Sequence, residues 1–196
     1  METIGIGFMF AQRFNQSMRY VGQARTEMGI RTVFNILGPL ANPSRAKRMV
    51  VGVYSPALTE KMAKVMSRLG VERGFVVSGC DNMDEFTLSG PTTVSEINGT
   101  EERTFEVTPE QFGLGRAPLE ELRGGDGVCN AEITRRILSG KERGAKRDVV
   151  LLNAGAVLYI GGVAESIETG VKLAAETIDA GAAMNKLQQL VAASNQ

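Results

Sequence analysis

From residue 49 onward the chain reads strand, helix, strand, and that alternation limits its possible folds more than any other feature. MVVGVYS (49–55) is a short apolar run that predicts a strand. PALTEKMAKVMSRLG (56–70) predicts a helix, with Leu58, Met62, Val65, Met66 and Leu69 on one face, Ser55 as N-cap, Pro56 in the first turn and Gly70 at its end. GFVVSG (74–79) is apolar throughout, as expected of a strand covered on both faces. TTVSEING and TEERTFEVT (92–99 and 100–108) predict two strands joined around Asn98-Gly99, a short-hairpin signal. Helical patterns follow at 129–140, 149–160, 166–181 and 182–194. The fold class is α/β, with strands covered by helices in an α/β sandwich spanning 46–196.

Residues 1–45 are expected to form a helical segment and connector that packs elsewhere. Residues 13–29 carry Phe14, Met18, Val21 and Met28 at helical spacing, with Gly29 as a stop. RTVFNILGPLANP (31–43) is then punctuated by Gly38-Pro39 and Asn42-Pro43, which are expected to end any regular element. SRAKR (44–48) reads as a solvated link.

Composition excludes several functions. The 22 basic residues balance the 22 acidic ones, so there is no electrostatic footprint for nucleic acid or an anionic membrane surface. There is no histidine, which rules out a Ser-His or Cys-His nucleophile pair and any His-ligated metal. Cys80 and Cys129 match no C-x-x-C spacing, so neither a disulfide framework nor zinc is indicated. The longest apolar run, 149–160, is too short to span a bilayer and carries Asn153. METIGIGFMFAQRF lacks the basic and long apolar regions of a secretion signal, so a soluble cytoplasmic protein is expected. The glycine-rich stretches at 5–10, 113–118 and 124–130 fit no phosphate-cradle pattern and read as turns.

Two features stand out as candidate sites. SGCDNMDEFTLSGP (78–91) leaves the carboxyl end of a predicted strand, where ligands gather in α/β sheets. Its Asp84-Glu85 pair offers oxygen ligands suited to a hard cation such as Mg²⁺, which keeps several waters and bridges to substrate phosphates. On spacing alone the commoner outcome is plainer: Asp81-Asn82 forms a turn and Asp84-Glu85 is solvated. Arg25 is the second feature, lying within about 20° of Met18 and Phe14 around a helix. A cation on an apolar stripe either snorkels outward, the commoner outcome, or meets an anion there.

Three stretches, in order, strengthen the binding readings: GIGFMFAQRFNQSMRYVGQARTEMGIRTVFNILGPLANP (5–43), SGCDNMDEFTLSGPT (78–92) and RDVVLLNAGAVLYIGGVAES (147–166). Together they closely resemble the C-terminal part of the anthranilate phosphoribosyltransferase family, over essentially the whole chain. The resemblance implies a nucleoside phosphorylase/phosphoribosyltransferase-like α/β domain preceded by part of a helical subdomain. It implies transfer of a phosphoribosyl group from phosphoribosyl pyrophosphate to anthranilate in tryptophan biosynthesis. Asp84 and Glu85 match the family's magnesium-binding acids, and Arg25 matches the arginine that meets the anthranilate carboxylate. Asn15 stands in the acceptor site, and Gly38 and Pro39 match a turn lining the anthranilate channel. Full-length members are expected to be homodimers, with small-molecule substrates and Mg²⁺ as cofactor.

The sequence departs from the family in places. The donor-gripping GTGGD motif is absent from it. The polypeptide by itself is therefore expected to bind the donor poorly and turn over negligibly. Asn15-Gln16 stand where relatives often read His-Pro, and Ser78 where they often have histidine. Two other functions fit part of the pattern: a pyrimidine-nucleoside phosphorylase, which the Arg25 segment and the acidic pair oppose, and a non-catalytic scaffolding or regulatory subunit.

Overall fold

The computed structural model describes residues 3–10, 27, 29 and 34–195, with the backbone alone at 34 and 35. Four strands form a mixed sheet in the order β1 (Arg48–Gly52), β2 (Arg73–Gly79), β3 (Thr92–Asn98) and β4 (Glu101–Val107). β1 and β2 run parallel, with Val51 opposite Val76, and the remaining neighbours are antiparallel. Asn98 pairs with Glu101, which leaves a two-residue turn in which Gly99 adopts φ +63°, a conformation glycine takes without strain.

Helices cover both faces, because alternate strand residues point to opposite sides. α1 (Phe34–Leu40) and α2 (Thr59–Arg68) lie on one face. There Ile36 and Leu40 of α1 and Met62, Ala63 and Met66 of α2 pack with Val51, Val76 and Ile97 of the sheet. The short α3 (Leu119–Leu122) leads to α4 (Gly127–Leu138), α5 (Ala145–Gly161), α6 (Ile167–Asp179) and α7 (Ala182–Ser194). On the opposite face Phe75, Val77 and Val94 meet Leu151, Leu152, Ala156 and Ile160 of α5 and Val171, Ala174 and Ile178 of α6. The three layers make the expected α/β sandwich.

α5 and α6 approach closely because small residues face each other. A Cβ on Gly170 would lie 2.4 Å from the Gly155 carbonyl oxygen, so this crossing tolerates only glycine there. α5 runs between Gly144 and Gly162, both at positive φ, and α6 opens with a reciprocal Ser166–Thr169 capping box. No helix among the described residues is long and apolar enough to cross a membrane.

Three local expectations are corrected. Gly38-Pro39 does not end the preceding element: α1 runs through Pro39 to Leu40, and Ala41 N–H still donates to Leu37 at 2.9 Å. A proline one residue from the end of a seven-residue helix forfeits a single backbone bond, so the helix survives it. Ser55 is extended but makes no side-chain cap; the first turn after it is a 3₁₀ turn, Pro56–Leu58, and Thr59 Oγ1 donates to the Pro56 carbonyl at 2.9 Å. The basic stretch 44–48 is not merely a link, since Arg48 opens β1 and its guanidinium donates to the Gly161 carbonyl.

Candidate functional site

The loop between β2 and β3 begins where fully buried strand gives way to solvent. Gly79 is buried and Cys80 is exposed. The chain turns at once: Asn82 takes φ +63° and its N–H donates to Gly79 at 3.0 Å, while Gly79 N–H donates to Met83 at 2.8 Å. Asparagine tolerates that conformation better than most residues, so the predicted Asp81-Asn82 turn forms.

Asp81 organises the loop. Its carboxylate accepts the Met83 N–H at 3.1 Å, the Thr87 hydroxyl at 2.7 Å and the Ser89 hydroxyl at 2.9 Å. Burial pushes this carboxyl up, but the hydroxyls of Thr87 and Ser89 and the amide of Met83 outweigh it, leaving its pKa below the ordinary value. Thr87 Oγ1 in turn accepts the Ser89 N–H, and Thr92 Oγ1 accepts the Thr87 N–H. Phe86, Thr87 and Leu88 are buried as a block behind the turn.

Asp84 and Glu85 occupy the exposed crest of this loop, where the backbone bends. The backbone at this dipeptide is bent, not extended. Among the described residues neither side chain makes an ion pair, and none of the hydrogen bonds found there uses them. Glu85 is exposed but partly desolvated by its neighbours, and that, followed by the charge of Asp84, raises its pKa. Two elements hold the pair from behind. The Asp84 carbonyl rests against Gly52 at the end of β1, where a Cβ would fall 1.5 Å from its oxygen. On the other side Asn153 of α5 accepts the Phe86 N–H at 3.0 Å and donates to the Phe86 carbonyl at 3.1 Å.

Asn15 and Arg25 lie outside the described residues. Pro39 lines a hollow with Leu40, Asn42, Arg45, Met49 and Met66, and Gly38 sits beside it in α1. Neither acid lines that hollow. Ser78 is buried at 1% exposure, and its hydroxyl finds no hydrogen-bond partner among the described residues. Sequence reasoning placed Asp81 in the turn of this loop but missed Gly52 and Asn153 as parts of the site. Only Asn153 left a local signal, a single carboxamide inside the apolar run 149–160.

The family model described as "Glycosyl transferase family, a/b domain" matches residues 1–184. The chain belongs to this family. It is 56% identical over 196 residues to an anthranilate phosphoribosyltransferase of Citrifermentans bemidjiense, covering all of this chain and 55% of that protein. A second relative of the same name, from Acetivibrio thermocellus, is 50% identical over 195 residues, which is 56% of its length. The chain thus spans little more than half the length of these curated relatives. The crystal structure of anthranilate phosphoribosyltransferase from Thermus thermophilus matches with a TM-score of 0.90 and 45% identity, over 97% of this chain and 56% of that one. The Saccharomyces cerevisiae enzyme in complex with PRPP and Mg matches with a TM-score of 0.82 and 31% identity, over 89% of this chain and 50% of that one.

Proposed function

We propose that this chain carries the metal-binding and acceptor-binding sides of an anthranilate phosphoribosyltransferase. The reaction moves the phosphoribosyl group of phosphoribosyl pyrophosphate to anthranilate, giving N-(5-phosphoribosyl)anthranilate and pyrophosphate. One observation carries this assignment: a solvent-facing carboxylate pair, Asp84 and Glu85, on a loop braced by Asp81, Gly52 and Asn153 at the carboxyl end of a parallel strand. That is where α/β sheets take up ligands. Relatives 50–56% identical that bear the enzyme's name support the substrate assignment.

The donor set fits magnesium. Among the described residues no three or more His, Cys, Asp or Glu side chains gather into a cage. Mg²⁺ does not ask for one; it is held by one or two carboxylates, with waters and substrate phosphates completing its shell. Asp84 and Glu85 would hold it, and it would neutralise charge growing on the departing diphosphate.

The chain's own residues account for the acceptor side. Arg25 pairs with the anthranilate carboxylate through a charge-assisted contact, which accounts for a guanidinium on an apolar stripe. Asn15 donates a hydrogen bond to the acceptor, and Gly38 and Pro39 line its entry. The aromatic amine is neutral near pH 7, so its lone pair attacks the anomeric carbon as the bond to diphosphate breaks, and the ammonium proton then passes to the departing diphosphate or to water. No histidine is needed. Positioning and charge stabilisation supply the acceleration. Residues 1–45 belong on this scheme to a helical subdomain and 46–196 to the α/β domain; the complete enzyme is a cytoplasmic homodimer.

Calorimetric titration of the chain with anthranilate and with thymidine, each with Mg²⁺ and pyrophosphate present, tests the assignment. Heat with anthranilate alone is expected. Heat with thymidine alone would transfer the chain to the pyrimidine-nucleoside class.

A further inference from the structure

Asn153 sits 67 residues from Phe86 in sequence, yet it holds both backbone groups of that residue. A carboxamide is the side chain that presents one acceptor and one donor in a single plane, matching a residue's own N–H and C=O. The amide plane is itself fixed, because Nδ2 also donates to the Val149 carbonyl at 2.9 Å one turn back on α5. The Phe86 ring is fully buried and meets Phe75 edge-on at 6.1 Å between centroids. The residue that follows Glu85 is therefore pinned by its amide, its carbonyl and its ring. At the other end of the acidic pair, the Asp84 carbonyl rests on Gly52.

We propose that Asn153 is a positioning residue for the carboxylate pair: it fixes the backbone behind Asp84 and Glu85 and so holds both residues on one exposed crest. The proposal rests on the assignment of these acids as metal ligands. Two neighbouring carboxylates repel each other, and a free loop would relax by turning them apart. A backbone clamped from the core side removes that relaxation and leaves only the side-chain torsions to be ordered on ligand binding. Asn153 acts through Phe86 and touches neither the cation nor the substrate.

The test uses the 196-residue chain and its Asn153→Leu variant, which keeps the branched shape and removes the polar fork. Amide hydrogen exchange is followed at Phe86, and Mn²⁺ binding in the presence of pyrophosphate is followed by electron paramagnetic resonance. Faster exchange at Phe86 and Mn²⁺ affinity weakened about tenfold or more are expected, the range typical of residues that support metal ligands from behind. Asn153→Ala, which leaves space instead of bulk, repeats both measurements if the leucine variant does not fold. An unchanged Phe86 amide, or unchanged Mn²⁺ affinity where that amide has become labile, overturns the proposal. A wild-type chain that takes up no Mn²⁺ counts against the metal assignment, and the clamp is then decided by the Phe86 amide alone.

Discussion

The carbonyl oxygen of Asp84 occupies the space that any side chain on Gly52 would need, 1.5 Å from where a Cβ would stand. The end of β1 and the crest of the acidic loop are thus one surface. Gly52→Ala cannot be absorbed by a rotamer change, because backbone is what it meets. Overpacking of this kind costs about 1–3 kcal/mol, and the displaced loop should also lose at least tenfold in divalent-cation affinity. Urea denaturation and Mn²⁺ titration of the same variant check both numbers.

Asp81 sets a pH dependence. Its folded pKa is held below the ordinary value, against burial, by Thr87, Ser89 and Met83. A carboxylate favoured in the folded state contributes stability above its unfolded pKa of about 3.9, and that contribution disappears as pH falls through the folded value. Asp81→Asn, which cannot accept all three bonds, is expected to cost about 1–3 kcal/mol at pH 7. The gap between wild type and variant should narrow as pH drops below about 4. Denaturation series at pH 7 and pH 3 measure it.

Much of this arrangement was legible in the sequence, and the rest was hidden for a physical reason. The strand–helix–strand unit and the hairpin at Gly99 follow from local periodicity and turn chemistry, and both formed. The acidic pair was visible because Asp84 and Glu85 are adjacent. Their supports were not. Gly52 lies on another strand and Asn153 on a helix 67 residues from the backbone it grips, and no local pattern encodes such partners. Pro39 misled for the opposite reason. A strong local signal was overridden where Ile36 and Leu40 had apolar surface to pack on.

The α5–α6 crossing couples the core to the site, since α5 carries Asn153. Gly170→Ala would place a Cβ 2.4 Å from the Gly155 carbonyl oxygen and force the helices apart. Destabilisation of about 1–3 kcal/mol is expected. For a chain of this size that lowers Tm by roughly 2–4 °C per kcal/mol. Calorimetry should find that shift, with faster amide exchange at Phe86.

On the proposed function Arg25 meets the anthranilate carboxylate. Arg25→Gln removes the charge and keeps a hydrogen-bonding amide. Contacts to charged groups are worth about 1.5–3 kcal/mol, so anthranilate should bind some tenfold to hundredfold more weakly, with Mn²⁺ affinity unchanged. Parallel titrations with the two ligands separate these effects.

The role of Asp84 and Glu85 in the transfer reaction is tested most directly by removing both charges. The chain would be joined to the part of the Citrifermentans bemidjiense relative that it does not span, with and without Asp84→Asn and Glu85→Gln together. Magnesium-dependent formation of N-(5-phosphoribosyl)anthranilate is followed by fluorescence. Loss of the two carboxylates is expected to lower turnover by at least about a hundredfold, the scale on which removing a charge-stabilising group acts. Magnesium-dependent turnover within twofold of the unsubstituted protein would contradict the account.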